Sequence, residues 1–485
     1  MNERSFLSGF RASLIAQLTR IAVNGLIIIM MTRYFFSPQE YGLLFLAVSI
    51  FGSALLFSSI GVPKSAARYV TEYKETAPGQ VRNVVRTSFK VVLVMSLAVG
   101  SIVLLFRNVI AVAFSEPALG PLLAVGLFYI VFQSINTYLT TLFQGFNHIT
   151  RSAILTICSN VGILCGILLL VRVGLGPIGA LTGYVIGYGL GSLVGLGFLY
   201  WTLREYEERP IESGLRRRLF EYSVPLMATN GANILYKRVD TLLIGFFLTP
   251  IAVGYYTLAK QFSDFIIAPA DSFGFTISPA FGEHKANNGS HQAARIYEMA
   301  FEHTILFYIP AATGLVLVAE PTIQFIFGAD YLGAVPVIRV FAAFIVLQAI
   351  DKITNDGLDY LGRARQRAIV KTGTGVFNFS LNLFLIPVIG VVGAAISTVL
   401  SYSIMVALNV YLIHTELSLA LSRLARSAAL VGVITVCMAA FVVMLLPFVS
   451  SLVTLLAVVF AGGCIWGCLA FASGIPEQNL GAVFS

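Results

Sequence analysis

Charged and amide side chains set inside long apolar runs are the residues of this sequence with the most chemistry to offer. One run carries Ser13, Gln17, Arg20 and Asn24. At 100° per residue on a helix these four fall within about 60° of one another. A second run carries Asn230, Asn233, Lys237, Asp240 and Thr241 within about 100°, with Arg238 just beside them. A third places Lys260, Asp264 and Asp271 within about 40°. Arg339 stands alone near the start of another run. A charge at the centre of an apolar helix costs at least ~2.5–3.5 kcal/mol on insertion scales, so each of these residues is a candidate for function.

The cations outnumber the acids, which favours an anion as the ligand. An arginine fork matches phosphate oxygens in two places at once. Cations facing a wet cleft would also remove most of the tens of kcal/mol that a bare diphosphate pays on entering hydrocarbon. Asp240, Asp264 and Asp271 read as counter-ions or as sites for a coupling H+ or Na+. Blander readings stand beside these. Lys260 and Asp264, four residues apart, can neutralise each other. Lys237 can snorkel or pair with Asp240, and Arg339 can reach the membrane boundary. Arg20 has no acid within a turn on its own helix.

The runs that hold these residues must be membrane helices. Of 485 residues, 57% are hydrophobic and 11% are charged, with a mean hydropathy of +0.86. Soluble domains carry about 25% charged residues. Apolar side chains at this density need an apolar solvent. Fourteen spans are expected, at 13–33, 41–60, 88–106, 119–143, 153–171, 178–201, 223–247, 253–278, 303–319, 335–350, 369–387, 391–412, 427–446 and 452–472. The ninth is short and contains Pro310. The stretch from about Pro279 to His303 is the longest polar one and reads as a loop with room for an amphipathic helix. Cys158, Cys165, Cys437, Cys464 and Cys468 all lie in apolar runs and read as buried small hydrophobes, with no disulfide or metal implied. No removable signal peptide is expected, because the first run is long and carries Arg20.

The net charge of +8 is spread over short segments between spans, which is a topology pattern rather than a nucleic-acid surface. Of the 31 Lys and Arg, 23 fall in alternate segments, and only Arg33, Arg107 and Arg172 fall in the others. This bias predicts a multi-pass plasma-membrane protein with both termini cytoplasmic.

The chain also repeats itself. Phe36-Ser37-Pro38, Gly42 and Leu46-Ala47 return as Leu248-Thr249-Pro250, Gly254 and Leu258-Ala259. Phe114, Leu119, Gly120 and Phe128 return as Phe327, Leu332, Gly333 and Phe341, and Gly176, Gly179 and Ala180 as Gly390, Gly393 and Ala394. Six spans per unit predict two parallel repeats, with a substrate cleft where they meet. The expected domains are 1–205 with helices 1–6, 206–415 with helices 7–12, and 416–485 with two extra helices. Pro38 and Pro250, each after a capping Ser or Thr, should turn the chain sharply.

The phrase Arg238-Val-Asp-Thr-Leu-Leu-Ile-Gly245 running into Val253-Gly-Tyr-Tyr-Thr-Leu-Ala259 resembles the polysaccharide-transporter family. That family belongs to the multidrug/oligosaccharidyl-lipid/polysaccharide exporter superfamily. Ser37-Pro38-Gln-Glu40-Tyr41-Gly42 and Phe327-Gly328-Ala-Asp-Tyr331 are similar to its phrases. The resemblance covers essentially the whole chain. It implies a flippase for polyprenyl-diphosphate-linked oligosaccharide, working by alternating access in cell-surface glycan assembly. It also implies that the first, second, seventh and eighth helices wall the cavity.

On this reading Arg20, Asn24, Asn233, Lys237, Arg238, Lys260 and Arg339 bind substrate. The implied partners are the lipid-linked oligosaccharide and membrane lipid, with no nucleic acid, no cofactor, and a monomer as the working state. Two other transporters remain open, a multidrug or cation exporter and a peptidoglycan lipid-precursor flippase. A membrane glycosyltransferase or polysaccharide polymerase is a different class. It fits less well, since the outer segments are short and no D-x-D occurs. Gly174-Leu-Gly176-Pro-Ile-Gly179 matches a dinucleotide pattern, but it lies between spans with no strand before it.

Overall fold

The computed structural model describes residues 3–473 except 208, 213 and 287–289, and their side chains except those of 3–8, 10, 228–237, 271–286 and 290. The described residues are helical with no strand. In chain order the helices begin with α1 (Glu3–Met30), α2 (Pro38–Ser59), α3 (Val62–Thr76), α4 (Val81–Leu105), α5 (Arg107–Ala113) and α6 (Leu119–Gly145). Then come α7 (Ile149–Leu170), α8 (Gly176–Leu203), α9 (Leu215–Phe247), α10 (Pro250–Ala286) and α11 (Ser290–Thr322). The last are α12 (Val335–Tyr360), α13 (Ala364–Ile389), α14 (Val391–Leu417), α15 (Leu421–Leu445) and α16 (Leu452–Ala472).

All but α3 and α5 are 21 residues or longer, enough to cross a hydrocarbon core of ~30 Å. Among the described residues eleven segments are long and apolar enough to span, and one of them, Ile149–Leu203, holds both α7 and α8. The protein is an all-helical, multi-pass membrane protein.

Several expectations need correction. The stretch from Pro279 to His303 holds more helix than a loop with one amphipathic helix: α10 runs on to Ala286 and α11 begins at Ser290. Polar residues continue both helices past their apolar segments. The ninth span is not short either, since α11 passes through Pro310 and Pro321, as membrane helices tolerate. The cysteines are not buried, for all but Cys158 are exposed. A thiol facing lipid loses nothing by it.

The chain forms two compact units, Met1–Gly254 and Tyr255–Ser485. In the first, α3 is an amphipathic helix that hydropathy alone passes over. Its Val62, Ala66, Tyr69, Val70 and Tyr73 pack with Val84 and Val92 of α4, Tyr138 and Leu142 of α6, and Leu215 and Leu219 of α9. α7 and α8 meet through glycines at four-residue spacing. A Cβ on Gly166 would lie 2.9 Å from the Cα of Gly183, and one on Gly187 would lie 2.5 Å from the amide N of Ile163. Lipid tails do not drive helices together, so small residues that let backbones approach do that work.

The turn before α2 has a local cause. Ser37 caps the helix, accepting from the Glu40 amide at 3.4 Å, while Glu40 accepts from the Ser37 amide at 3.0 Å. Pro38 fills the first helical position, where no amide hydrogen is needed. Four residues on, Gly42 meets the repeated segment itself. A Cβ at Gly42 would lie 1.7 Å from the Pro250 carbonyl oxygen, and one at Gly254 would lie 2.3 Å from that of Pro38.

The third repeated block also keeps its conformation. Gly176 (φ 51, ψ −138) and Gly390 (φ 70, ψ −148) share a backbone region closed to other residues. Gly179 and Gly393 then press on the carbonyl oxygens of Leu170 and Leu385. The second block diverges. Leu119 opens α6, whereas Leu332 and Gly333 lie in a 3-10 turn before α12.

In the second unit, α11 and α15 are joined by a buried ionic contact. Arg423 donates to Glu302 at 2.9 and 3.1 Å, and Ser427 donates to the same carboxylate at 2.9 Å. Glu298 accepts the Ala420 amide at 2.7 Å.

Candidate functional site

α1 buries Ala16, Val23 and Ile27 on the side that packs against α7. Ser13, Gln17, Arg20 and Asn24 are all exposed. Arg20 and Asn24 form no hydrogen bond or ion pair among the described residues. The α1 stripe therefore presents one cation and several amide and hydroxyl groups that the protein leaves available.

Arg238 of α9 lies elsewhere in the same unit, and its setting is specific. Its Nε would be 3.0 Å from a Cβ at Gly52 of α2. The absent side chain is what lets the guanidinium lie there. Tyr129 of α6 and Tyr184 and Tyr188 of α8 are within electrostatic reach of it. The Tyr129 ring stands 5.7 Å from Tyr188 and 6.3 Å from Tyr184, and Phe51 backs it at 5.1 Å.

The glycine packing of α7 on α8 fixes Tyr184 and Tyr188, which sit one turn apart and so share a face. A guanidinium can take an anionic oxygen, and phenols can hydrogen-bond hydroxyl groups. Asp240, two residues from Arg238, is 2% exposed and engaged by a neighbouring group. Thr241 is buried beside it.

In the second unit the Lys260 ammonium lies 5.7 Å from the Tyr256 ring centre, at cation–π distance. Asp264 is exposed and, like Lys260, has a partner. Arg339 faces Glu320 at 3.8 Å, and both side chains are about half exposed. Such a pair is worth about 0–1 kcal/mol. Asn230, Asn233, Lys237 and Asp271 lie outside the described residues.

Of the expected site, the structure gives available groups at Arg20 and Asn24, a close seat for Arg238 against Gly52, and a local partner for Arg339. Sequence reasoning missed Gly52 and the three tyrosines. Their only signal is the four-residue spacing of Tyr184 and Tyr188, which ordinary packing produces as well. It also missed Asp351 of α12, which is 6% exposed and accepts from Asn355 at 2.6 Å.

The candidate site is thus a set of cations and phenols carried by the helices of an all-helical membrane fold. The family model described as "Polysaccharide biosynthesis protein" matches residues 30–336. The chain belongs to that family. It is 26% identical over 203 residues to the probable low-salt glycan biosynthesis flippase Agl15 of Haloferax volcanii, covering 42% of this chain and 43% of that one. It is also 26% identical over 179 residues to the probable flippase AglR of the same organism, covering 35% and 36%. The matches thus span less than half the length of these curated relatives. Among solved structures, the Lipid II flippase MurJ in an inward closed conformation aligns at a TM-score of 0.75 and 16% identity, covering 98% of this chain and 99% of that one. An inward-facing MATE-family multidrug transporter aligns at 0.64 and 15%, covering 82% and 98%. These likenesses are of fold.

Proposed function

We propose that this protein is a flippase that moves polyprenyl-diphosphate-linked oligosaccharide across the cytoplasmic membrane by alternating access, for cell-surface polysaccharide or glycan assembly. The observation that carries this reading is Arg20, an exposed arginine in a membrane helix with no partner among the described residues. In bare hydrocarbon that charge would cost ~2.5–3.5 kcal/mol or more. Beside a wet path it is an open binding group for a diphosphate. The name of the Haloferax relative Agl15, a probable glycan biosynthesis flippase, supports the glycan part of this reading, and that of AglR supports a flippase.

In this reading 1–205 and 206–415 are the moving halves, 416–485 stands beside them, and both termini are cytoplasmic. Asn24, Asn233, Lys237, Arg238 and Lys260 join Arg20 along the path, and Arg339, already facing Glu320, contributes least. Asp240, Asp264 and Asp271 act as counter-ions or carry the coupling H+ or Na+.

The test is saccharide export per unit of membrane-inserted protein. Arg20→Ala should insert at normal abundance and lose at least about tenfold in export, while Arg20→Lys keeps the charge without the fork and recovers part of it. Normal export by Arg20→Ala at normal abundance would remove Arg20 from the path.

A further inference from the structure

A second cationic site lies in the first unit, away from the residues assigned to the path. The start of α4 and the segment leading into α9 enclose a cavity of about 750 Å³ lined by Asn83, Arg86, Lys90, Arg209, Arg216 and Phe220, among others. Four of these are cations, and no described acid lines the cavity.

The walls are fastened. Gln80 donates to the Pro210 carbonyl at 2.8 Å, Asn83 donates to that of Arg209 at 2.8 Å, and the Glu212 amide donates to Gln80 at 3.2 Å. The stem of Arg209 lies across Gly79, where a Cβ would sit 2.5 Å from its Cδ. Nearby acids are spent elsewhere. Glu212 accepts from the Tyr73 hydroxyl at 2.9 Å and from Arg218 at 2.7 Å, and Glu221 holds Arg217 at 2.6 Å. Lys90, Arg209 and Arg216 make no ion pair with any described residue.

The direction of α4 says what kind of anion fits. Arg86, Lys90, Val94, Leu97 and Leu105 are exposed and fall within about 100° on the helix. One face therefore begins basic and continues apolar along a segment long enough to span the membrane. Ile211 and Phe220 add exposed apolar surface at the cavity. A soluble anion would use only the first part of this surface, whereas a lipid uses both.

We propose that this cavity binds the phosphate head group of an anionic membrane lipid, whose tails lie along the Val94–Leu105 side of α4. Lys90, Arg209 and Arg216 hold the phosphate oxygens at the membrane–water boundary, and Gly79 keeps Arg209 in place. The site acts apart from the translocation path and needs no particular transported substrate.

The test uses the full chain in nanodiscs of phosphatidylcholine with graded phosphatidylglycerol, reading retained lipid by mass spectrometry. The wild type should retain phosphatidylglycerol selectively. Combined Lys90→Gln, Arg209→Gln and Arg216→Gln should raise the half-saturating fraction at least about tenfold at unchanged melting temperature. Gly79→Val keeps every charge but displaces Arg209, and should weaken retention in the same direction. Inorganic phosphate at millimolar concentration should not displace the lipid. Equal retention by the wild type and both variants would overturn the assignment. Full displacement by inorganic phosphate would overturn the lipid as the ligand.

Discussion

Arg423 shows how a charge in this protein can be purely structural. It bridges Glu298 and Glu302, which are 5% and 3% exposed. Its removal would take away the cation that two buried carboxylates share. Breaking such a contact costs roughly 3–5 kcal/mol, toward the lower end where one partner is partly solvated, as Arg423 is. Arg423→Ala should therefore lower the melting temperature of the solubilised protein by several degrees. Changing both acids to Gln in the same chain should restore much of that loss. Tyr73 makes a second case, outside the spans. Burial first, then its hydrogen bond to Glu212, push its phenol from 10.0 up to about 12. The folded state holds that proton more tightly, so the stabilisation is complete below about pH 10 and fades as pH rises toward about 12. Tyr73→Phe should lack this part of the alkaline loss when melting temperature is followed against pH. Arg20 differs from both residues in having no described partner, which spacing alone could not show, since Arg423 likewise has no acid within a turn of its own helix. Nor could spacing show Arg238 against Gly52, or Tyr129 beside Tyr184 and Tyr188, because those residues meet across helices far apart in the chain.

Each expected span finds a helix at its place because runs of about 20 apolar residues leave a chain in lipid no alternative to the helix. α3 was passed over as a segment between spans, because hydropathy averages away the helical spacing of Val62, Ala66, Tyr69, Val70 and Tyr73. The ends of α10 and α11 were not legible, since polar residues in a helix look like those in a loop. The glycines of the repeat were visible, but their purpose was not. Gly42 is tied to a backbone oxygen of Pro250, which cannot rotate aside as a side chain would. Gly42→Ala should force α2 and the first turn of α10 apart, lowering inserted protein severalfold. Gly432→Ala, whose Cβ would meet nothing within 4 Å, should be neutral or stabilise by up to ~1 kcal/mol. Membrane abundance of the two variants, measured side by side, checks the contrast.

For the whole molecule, composition announces a membrane protein, and the alternation of basic segments gives an orientation. Neither says what crosses. The fold is shared with solved proteins whose names give different cargoes, a multidrug transporter and a Lipid II flippase among them. The proposed cargo is read from the candidate residues of the sequence, where Arg20, Lys237, Arg238, Lys260 and Arg339 outnumber Asp240, Asp264 and Asp271. The most direct measurement is deletion of the gene followed by lipid extraction and a test of which membrane face the lipids occupy. A flippase of this kind predicts that one polyprenyl-diphosphate-linked oligosaccharide builds up on the cytoplasmic face and clears when the wild-type chain is restored, but not with Arg20→Ala. Unchanged lipid-linked oligosaccharide with normal surface saccharide, or build-up already on the outer face, would contradict it.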